Sequence, residues 1–329
     1  SKVSRIVGLS RTALDCRIKR MQSDPQFFLR MHANIYHTNL GLKKAIAIVE
    51  ARPGMEQLLF DCLKVNGFWL YVCRSYGMGE GCIALYALPT EYRHEFEAFI
   101  HEMRRLDIAE NAYVYWSTCF QGGRITSDWF DCHKEKWVFR WDDWIKDVQT
   151  QTTDLPYTLK EPESYPILAD EIDVRMLTKL ERDATTSLSE IAKMLGISRQ
   201  LAQFHFKEHL MGRNLIESYQ IFAFLYGDSL SVGVFFIISF LNHDTLAKFA
   251  RSLFDKSFLI SMGKMLGENT ILMEVYLPVN EFRKFIDALS ALARMRLVQD
   301  YKYVIQDLRI RNRQTFSGEF FKDNSWTYD

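Results

Sequence analysis

The chain is 329 residues long, with 48% hydrophobic and 25% charged residues and a formal net charge of zero. That length exceeds one ordinary domain. The composition excludes a disordered or collagen-like chain, and the balanced charge excludes a bulk electrostatic pull towards nucleic acid or membrane, so any such surface must be local. The longest apolar run, residues 234–241, is far too short to span a bilayer and reads as a buried strand. No signal peptide is visible at the start, so a cytoplasmic location and no membrane partner are expected.

Residues 1–42 carry part of a helix-turn-helix. Gly8 permits a tight turn and Ser10 can cap the helix that follows, beginning at Arg11. Residues 1–7 correspond to the second helix of such a motif. A first helix, about 15 to 20 residues at the usual proportions, has no counterpart, so further residues are expected to precede residue 1. In residues 43–122, strands at 45–49, 68–76, 82–87 and 112–118 are interleaved with helices at 55–63 and 91–106. The glycine-rich stretch from Gly77 to Gly81 joins two strands. It reads as a hairpin turn, since a dinucleotide loop would open a helix. Residues 123–149 form a Trp-rich extension, and five of the seven tryptophans lie between 116 and 144. Such a segment is expected to fold back over a sheet face or edge rather than stack single-stranded bases. Residues 150–169, with Pro156, Pro162 and Pro166, make a linker. The six cysteines, Cys16, Cys62, Cys73, Cys82, Cys119 and Cys132, contain no CxxC pair and all precede that linker. They are read as buried thiols, not as a disulfide or zinc framework.

Residues 170–222 hold a complete helix-turn-helix. Val174, Met176, Leu177 and Leu180 stripe its first helix, and Ser187 or Ser189 caps the second, which ends at Gly196. Ser198 caps the third, predicted over 199–211, with the small Ala192 and Ala202 where helices cross. Asn214 to Tyr219 then turns into a strand, the expected wing. Residues 223–312 repeat the earlier alternation, with strands at 232–240, 258–262, 270–276 and 298–305 and helices at 244–256 and 279–293. Residues 313–329 form a second aromatic extension. Leu88 and Pro89 match Leu277 and Pro278 at an offset of 189, and Gly8 to Arg11 match Gly196 to Arg199 at 188. A repeat of this period reads as two copies of one module.

The segment Ile191 to Arg199, IAKMLGISR, followed by Asn214, Leu215 and Ile216, resembles the DNA-binding domain of the Lrp/AsnC family of transcription regulators. The resemblance implies an α+β fold, here with two winged helix-turn-helix domains, the first lacking its first helix, and two ferredoxin-like βαββαβ domains. Three features depart from the family. Asn214 stands where a glycine is usual, His209 where an apolar residue is usual, and members usually carry one module. The resemblance further implies an archaeal-type regulator that binds double-stranded DNA and takes a small amino acid-like effector. Its α/β domains would pair as an intrachain pseudo-dimer or between chains.

The expected DNA contacts follow the two third helices. They are Ser10, Arg11, Thr12, Arg17 and Lys19 in the first, with the stem of Arg17 or Lys19 packing inward. In the second they are Ser198, Arg199, Gln200, Gln203 and Lys207, where Gln can pair adenine and Lys a phosphate. Residues 1–31 hold seven Lys/Arg against two Asp, a net of +5; the matching residues 189–219 hold four against three Glu, a net of +1. The first motif is therefore expected to bind phosphate more strongly. By the resemblance, an effector would sit at the loops carrying Tyr76, Gly77, Gly79 and Gly81, and Gly263 and Gly267.

No nucleophile–base arrangement or carboxylate pair is legible, so no catalytic residue and no cofactor is expected, and the chain is read as a non-enzyme. His205 and His209 stand at i, i+4 but lack the Glu of HExxH. They fall on the inner face of the motif and read as packing histidines, with no metal expected. Two other classes stay open. One is a protein-interaction adaptor of the transcription apparatus. The other is a sirohaem decarboxylase-like enzyme, since proteins resembling this family act so as fused tandems. For the latter the sequence offers Arg74, Arg93, His94, His101, Arg104 and Arg105, mostly on what looks like a solvated helix face.

Overall fold

A computed structural model of the chain describes residues 2–23, 29–77, 79–124, 126–223, 225–226 and 230–328. In chain order, helices α1 (Lys2–Ile6) and α2 (Arg11–Ser23) lead to strand β1 (Arg30–Ile35). There follow β2 (Leu42–Ala51), α3 (Glu56–Cys62), β3 (Trp69–Tyr76), β4 (Gly81–Pro89), α4 (Arg93–Arg105) and β5 (Ala109–Ser117). Three short strands, β6 (Gln121–Gly122), β7 (Phe130–Asp131) and β8 (Lys136–Trp137), precede α5 (Trp141–Thr150). The next three helices are α6 (Glu171–Arg182), α7 (Leu188–Leu195) and α8 (Arg199–Phe204), the last continued by a π-helix over His205–Met211. The remainder is β9 (Ile216–Phe222), β10 (Ser231–Ser239), α9 (His243–Leu253), β11 (Leu259–Lys264), β12 (Thr270–Pro278), α10 (Val279–Arg294), β13 (Asp300–Arg313), β14 (Phe321–Lys322) and β15 (Ser325–Trp326).

The result is a mixed α/β fold around one nine-stranded antiparallel sheet, ordered β5-β2-β4-β3-β13-β10-β12-β11-β6. Its centre is the pairing of β3 with β13, where Ile305 lies opposite Tyr76 and Arg313 opposite Tyr71, with a break in register between Asp307 and Arg311. Strand β13 is eight residues longer than its predicted end at 305, because this long-range partner extends it. The far ends also approach: Ser117 bridges Met265, and the Leu266 N–H donates to the Trp116 carbonyl at 2.9 Å.

Successive residues of a strand point to opposite faces, and strands β10 and β2 use this to serve two cores. In β10, Val234, Phe236 and Ile238 pack under α9 and α10, while Phe235 points to the other side. In β2, Ala45, Ala47 and Val49 face one core, while Ile46 and Ile48 join Phe235, Leu272 and Val304 in a smaller cluster shared by the two strand groups.

The aromatic extensions do fold back, but α5 covers helices rather than a sheet. Trp144 stacks on Phe285 at 5.5 Å and donates its indole N–H to Ser252 at 3.0 Å, and Trp141 donates to Glu281 at 2.8 Å. The second extension goes the opposite way. Trp326 donates to the Leu40 carbonyl at 2.6 Å, and Tyr328 stacks on Phe68 at 5.6 Å. Gly67 lies so close beneath Phe320 that an added Cβ would stand 1.9 Å from the ring. Each extension is thus seated on the other half of the chain. The linker is packed too, since Leu155 and Leu159 are buried in the second core. The cysteines correct the expectation in part: Cys73, Cys82 and Cys119 are buried and Cys62 is half-buried, but Cys16 and Cys132 are exposed.

Candidate nucleic-acid interface

Helix α6 opens with a reciprocal cap. Asp170 accepts from the Asp173 N–H at 3.0 Å, and the Asp173 carboxylate accepts from the Asp170 N–H at 3.0 Å. Its predicted apolar stripe, Val174, Met176, Leu177 and Leu180, is buried. A second reciprocal cap starts α7, where Ser187 rather than Ser189 pairs with Glu190. Gly196 then adopts φ +68°, and the Ser198 hydroxyl accepts from the Leu201 N–H at 3.1 Å to start α8. Ala192 and Ala202 are buried, as the crossing of two helices requires.

The third helix does not run as one α-helix to Met211. It changes to π winding at His205, a feature frequent at functional sites. This turn sends His205 and His209 inward against α6 and leaves Arg199, Gln200, Gln203 and Lys207 exposed, all on the outer surface of the motif. A stripe of guanidinium, amide and ammonium groups on a capped helix is what groove recognition uses.

The first motif has the same turn chemistry. Gly8 adopts φ +65°, and Ser10 caps α2 by accepting from the Ala13 N–H at 3.1 Å. Arg11, Thr12, Arg17 and Lys19 are exposed. The expected inward packing of Arg17 or Lys19 is absent, because α2 buries no residue at all. The wing is a further correction. Among the described residues strand β9 pairs with β1, Ala33 lying opposite Tyr219, rather than with a neighbouring strand of its own motif. The two helix-turn-helix segments are therefore joined through their following strands.

Sequence reasoning missed what lies beside this seam, a cavity of about 750 Å³ bordered by Tyr36, Arg124, Tyr157, Glu217 and Gln220. Tyr36 and Tyr157 lie 5.4 Å apart, and Asn34 donates to Glu217 at 2.6 Å. Burial pushes the Glu217 carboxyl up to about 8, with Lys44 pulling partly back. On β1, burial, with Arg313 adding to it, lowers His32 to about 4. The one sequence signal was an acid, Glu217, in a half-buried strand.

The structure does not bring the two predicted effector loops together. Gly77 abuts the Tyr303 carbonyl beside β13, Gly79 lies against Glu50, and Gly81 is tight under Val49. Tyr76 donates to Asp307 at 3.2 Å. Gly263 is packed under Phe120, and Gly267, at φ +77°, donates its N–H to Glu161 at 3.0 Å. The basic residues on α4 do not converge either: Arg93 pairs with Glu97, Arg105 with Glu102, and His94, His101 and Arg104 are exposed. Arg74 is held by Glu80. Among the described residues, no helix is long and apolar enough to cross a membrane.

Residues 170–203 match the AsnC-type helix-turn-helix domain, the segment whose caps and turn are described above. No curated protein matches the chain in sequence. Among solved structures, the siroheme decarboxylase NirDL bound to an iron-uroporphyrin III analogue is 12% identical. The match covers 97% of this chain and 89% of that one, with a TM-score of 0.55. The same enzyme without that ligand named gives 13% identity, the same coverage and a TM-score of 0.54. AsnC of E. coli is 19% identical over 42% of this chain and 91% of its own, with a TM-score of 0.29. The expectation of a non-enzyme is overturned here: the fold shared over 97% of the chain is that of an enzyme.

Proposed function

We propose that this chain is a sequence-specific DNA-binding transcription regulator of Lrp/AsnC type, built as a tandem duplication whose two ferredoxin-like α/β units pair within one chain. The observation that carries this reading is the exposed row Arg199, Gln200 and Gln203, inside the segment that matches the AsnC-type motif and continued past its end by Lys207, on a helix whose other face is buried. The repeated order strand–helix–strand–strand–helix–strand and the β3–β13 pairing support the duplication and the pseudo-dimer. A smaller cavity of about 220 Å³, bordered by Tyr115, Glu268, Asp300 and Lys302, suits a small zwitterion such as an amino acid and lies between strands of both units. Selection of binding sites from random duplexes tests the reading. Because the two recognition helices differ, the enriched site is expected to be non-palindromic. A clean palindrome means that identical motifs from two chains read the DNA together, and no enrichment refutes the reading.

A second reading, a tetrapyrrole decarboxylase, is favoured by the full-length fold match and the larger cavity. Among the described residues bordering that cavity, Arg124 is the one cation, a poor complement to a ring bearing several carboxylates. Among the described residues bordering the cavity, Glu217, its carboxyl raised by burial, is the one carboxylic acid placed to deliver a proton there. Tetrapyrrole titration followed by absorbance, together with assay of released carbon dioxide, separates the readings.

A further inference from the structure

The inward side of the third helix carries a second arrangement, independent of what its outer side binds. Four side chains converge between the start of α6 and the π-helix: Asp170, Asp173, His205 and His209, whose donor atoms all lie within 4.8 Å of one another. Nδ1 of His205 is 2.8 Å from Oδ1 of Asp173 and 3.6 Å from Oδ2 of Asp170. Nδ1 of His209 is 2.9 Å from Oδ2 of Asp173 and 3.5 Å from the same Asp170 oxygen. Asp173 is fully buried, and both imidazoles are nearly so.

We propose that these four residues form a binding site for a divalent transition metal ion of the zinc type. Metal–nitrogen and metal–oxygen bonds of about 2.0–2.2 Å place neighbouring donors of a tetrahedral shell about 3.3 Å apart. With one oxygen from each carboxylate, Asp173 Oδ1 lies 2.8 and 3.2 Å from the two imidazole nitrogens and Asp170 Oδ2 lies 3.6 and 3.5 Å from them, so these nitrogen–oxygen separations bracket that value. The donor set also fits. Two neutral imidazole nitrogens and two carboxylate oxygens suit zinc and its neighbours, and two carboxylates offset the charge of a dication. Asp170 spends Oδ1 on the helix cap and directs Oδ2 at both histidines, which leaves that oxygen as its ligand atom. The π winding serves this purpose, since it sets two residues of the recognition helix against one end of the helix behind it.

The ion would tie the first helix of the motif to the third. The sequence hid this because the ligands come as a DxxD pair and an HxxxH pair, more than thirty residues apart, and neither is diagnostic alone.

The test uses the full chain, stripped with a chelator and titrated with Zn²⁺ or Co²⁺. One equivalent is expected to bind, with the intense visible bands of tetrahedral cobalt and a raised melting temperature. His209→Gln and Asp170→Asn, at the two more accessible ligands, are each expected to weaken binding at least about tenfold, while His243→Ala, at an exposed histidine outside the cluster, leaves it unchanged. Circular dichroism of both ligand variants shows whether they keep their fold. Absence of stoichiometric binding, or undiminished affinity in both ligand variants, overturns the proposal and leaves the histidines as hydrogen-bonding partners of Asp173 only. Neither result bears on DNA selection, so this inference and the DNA-binding reading fail separately.

Discussion

The two helix-turn-helix segments share their turn chemistry and differ in their support. Gly8 and Gly196 have nearly the same positive φ, and Ser10 and Ser198 make the same cap at the same distance. Behind α7 and α8 stands α6, and the pair buries Ile191, Ala192 and Ala202. Among the described residues nothing comparable backs α1 and α2: Val3, Ile6 and Val7 are exposed and α2 buries no side chain. Local turn signals therefore specify a helix pair, but only a third helix makes it a packed unit, because isolated short helices gain most of their stability from tertiary burial.

The largest expected effect uses positions that correspond in the repeat, Ile191 and Val3. Ile191→Ala removes a fully buried side chain and is expected to destabilise the protein by about 2–5 kcal/mol. Val3→Ala, at a half-exposed site, is expected to stay within about 0.5 kcal/mol. Urea denaturation of both variants checks this. Equal losses would show that α1 is covered in solution.

The next test moves to DNA. Arg11→Ala with Lys19→Ala is expected to flatten the salt dependence of binding by about one unit per lost phosphate contact, and Arg199→Ala with Lys207→Ala by less. Affinity measured across a salt series decides it. A larger change in the second pair would make the packed motif, not the more basic one, the principal phosphate binder. Gln203→Ala is expected to relax base preference while leaving the slope alone.

The smallest effect concerns the seam that joins the two motifs. With its carboxyl raised to about 8, Glu217 contributes stability that is fully present below its ordinary range and lost as pH rises through 8. His32, lowered to about 4, acts in the other direction, its contribution being lost only as pH falls. Between about pH 6.5 and pH 9 only the Glu217 contribution changes of these two. Glu217→Gln keeps an oxygen for Asn34 and removes the titration, so its melting temperature is expected to fall less over that interval than that of the unaltered chain. Parallel melting curves would show the carboxyl to be ionised throughout.

What the sequence made legible was local. The stripe on α6, Gly196 and Ser198 fell where spacing and cap chemistry placed them, and strands β4 and β12 fell within two residues of their expected ends. The pairings β1–β9 and β3–β13 were not legible, because a strand's periodicity tells which face is buried and not which distant strand lies beside it. For the same reason the Glu217 cavity was missed: its border is drawn from four separate stretches of chain. The π winding at His205 also escaped, since nothing in HFKEHLM breaks an α-helix, and the imidazole contacts with Asp173 become visible only in three dimensions. Cys16 and Cys132 escaped because residue type alone misjudges a thiol on a thinly packed segment.

The crossing of the two aromatic extensions has a mechanical consequence. Each half of the chain reaches over and is gripped by the other, Trp144 held between Phe249 and Phe285 and Trp326 bonded to Leu40. Two such grips do not depend on covalent continuity between the halves. The exposed Glu163 and Ser164 lie in the linker, and cutting the chain there would sever the backbone without opening either clasp. The fragments would stay together as a heterodimer, held by both arms and by the β1–β9 and β3–β13 pairings that cross between them.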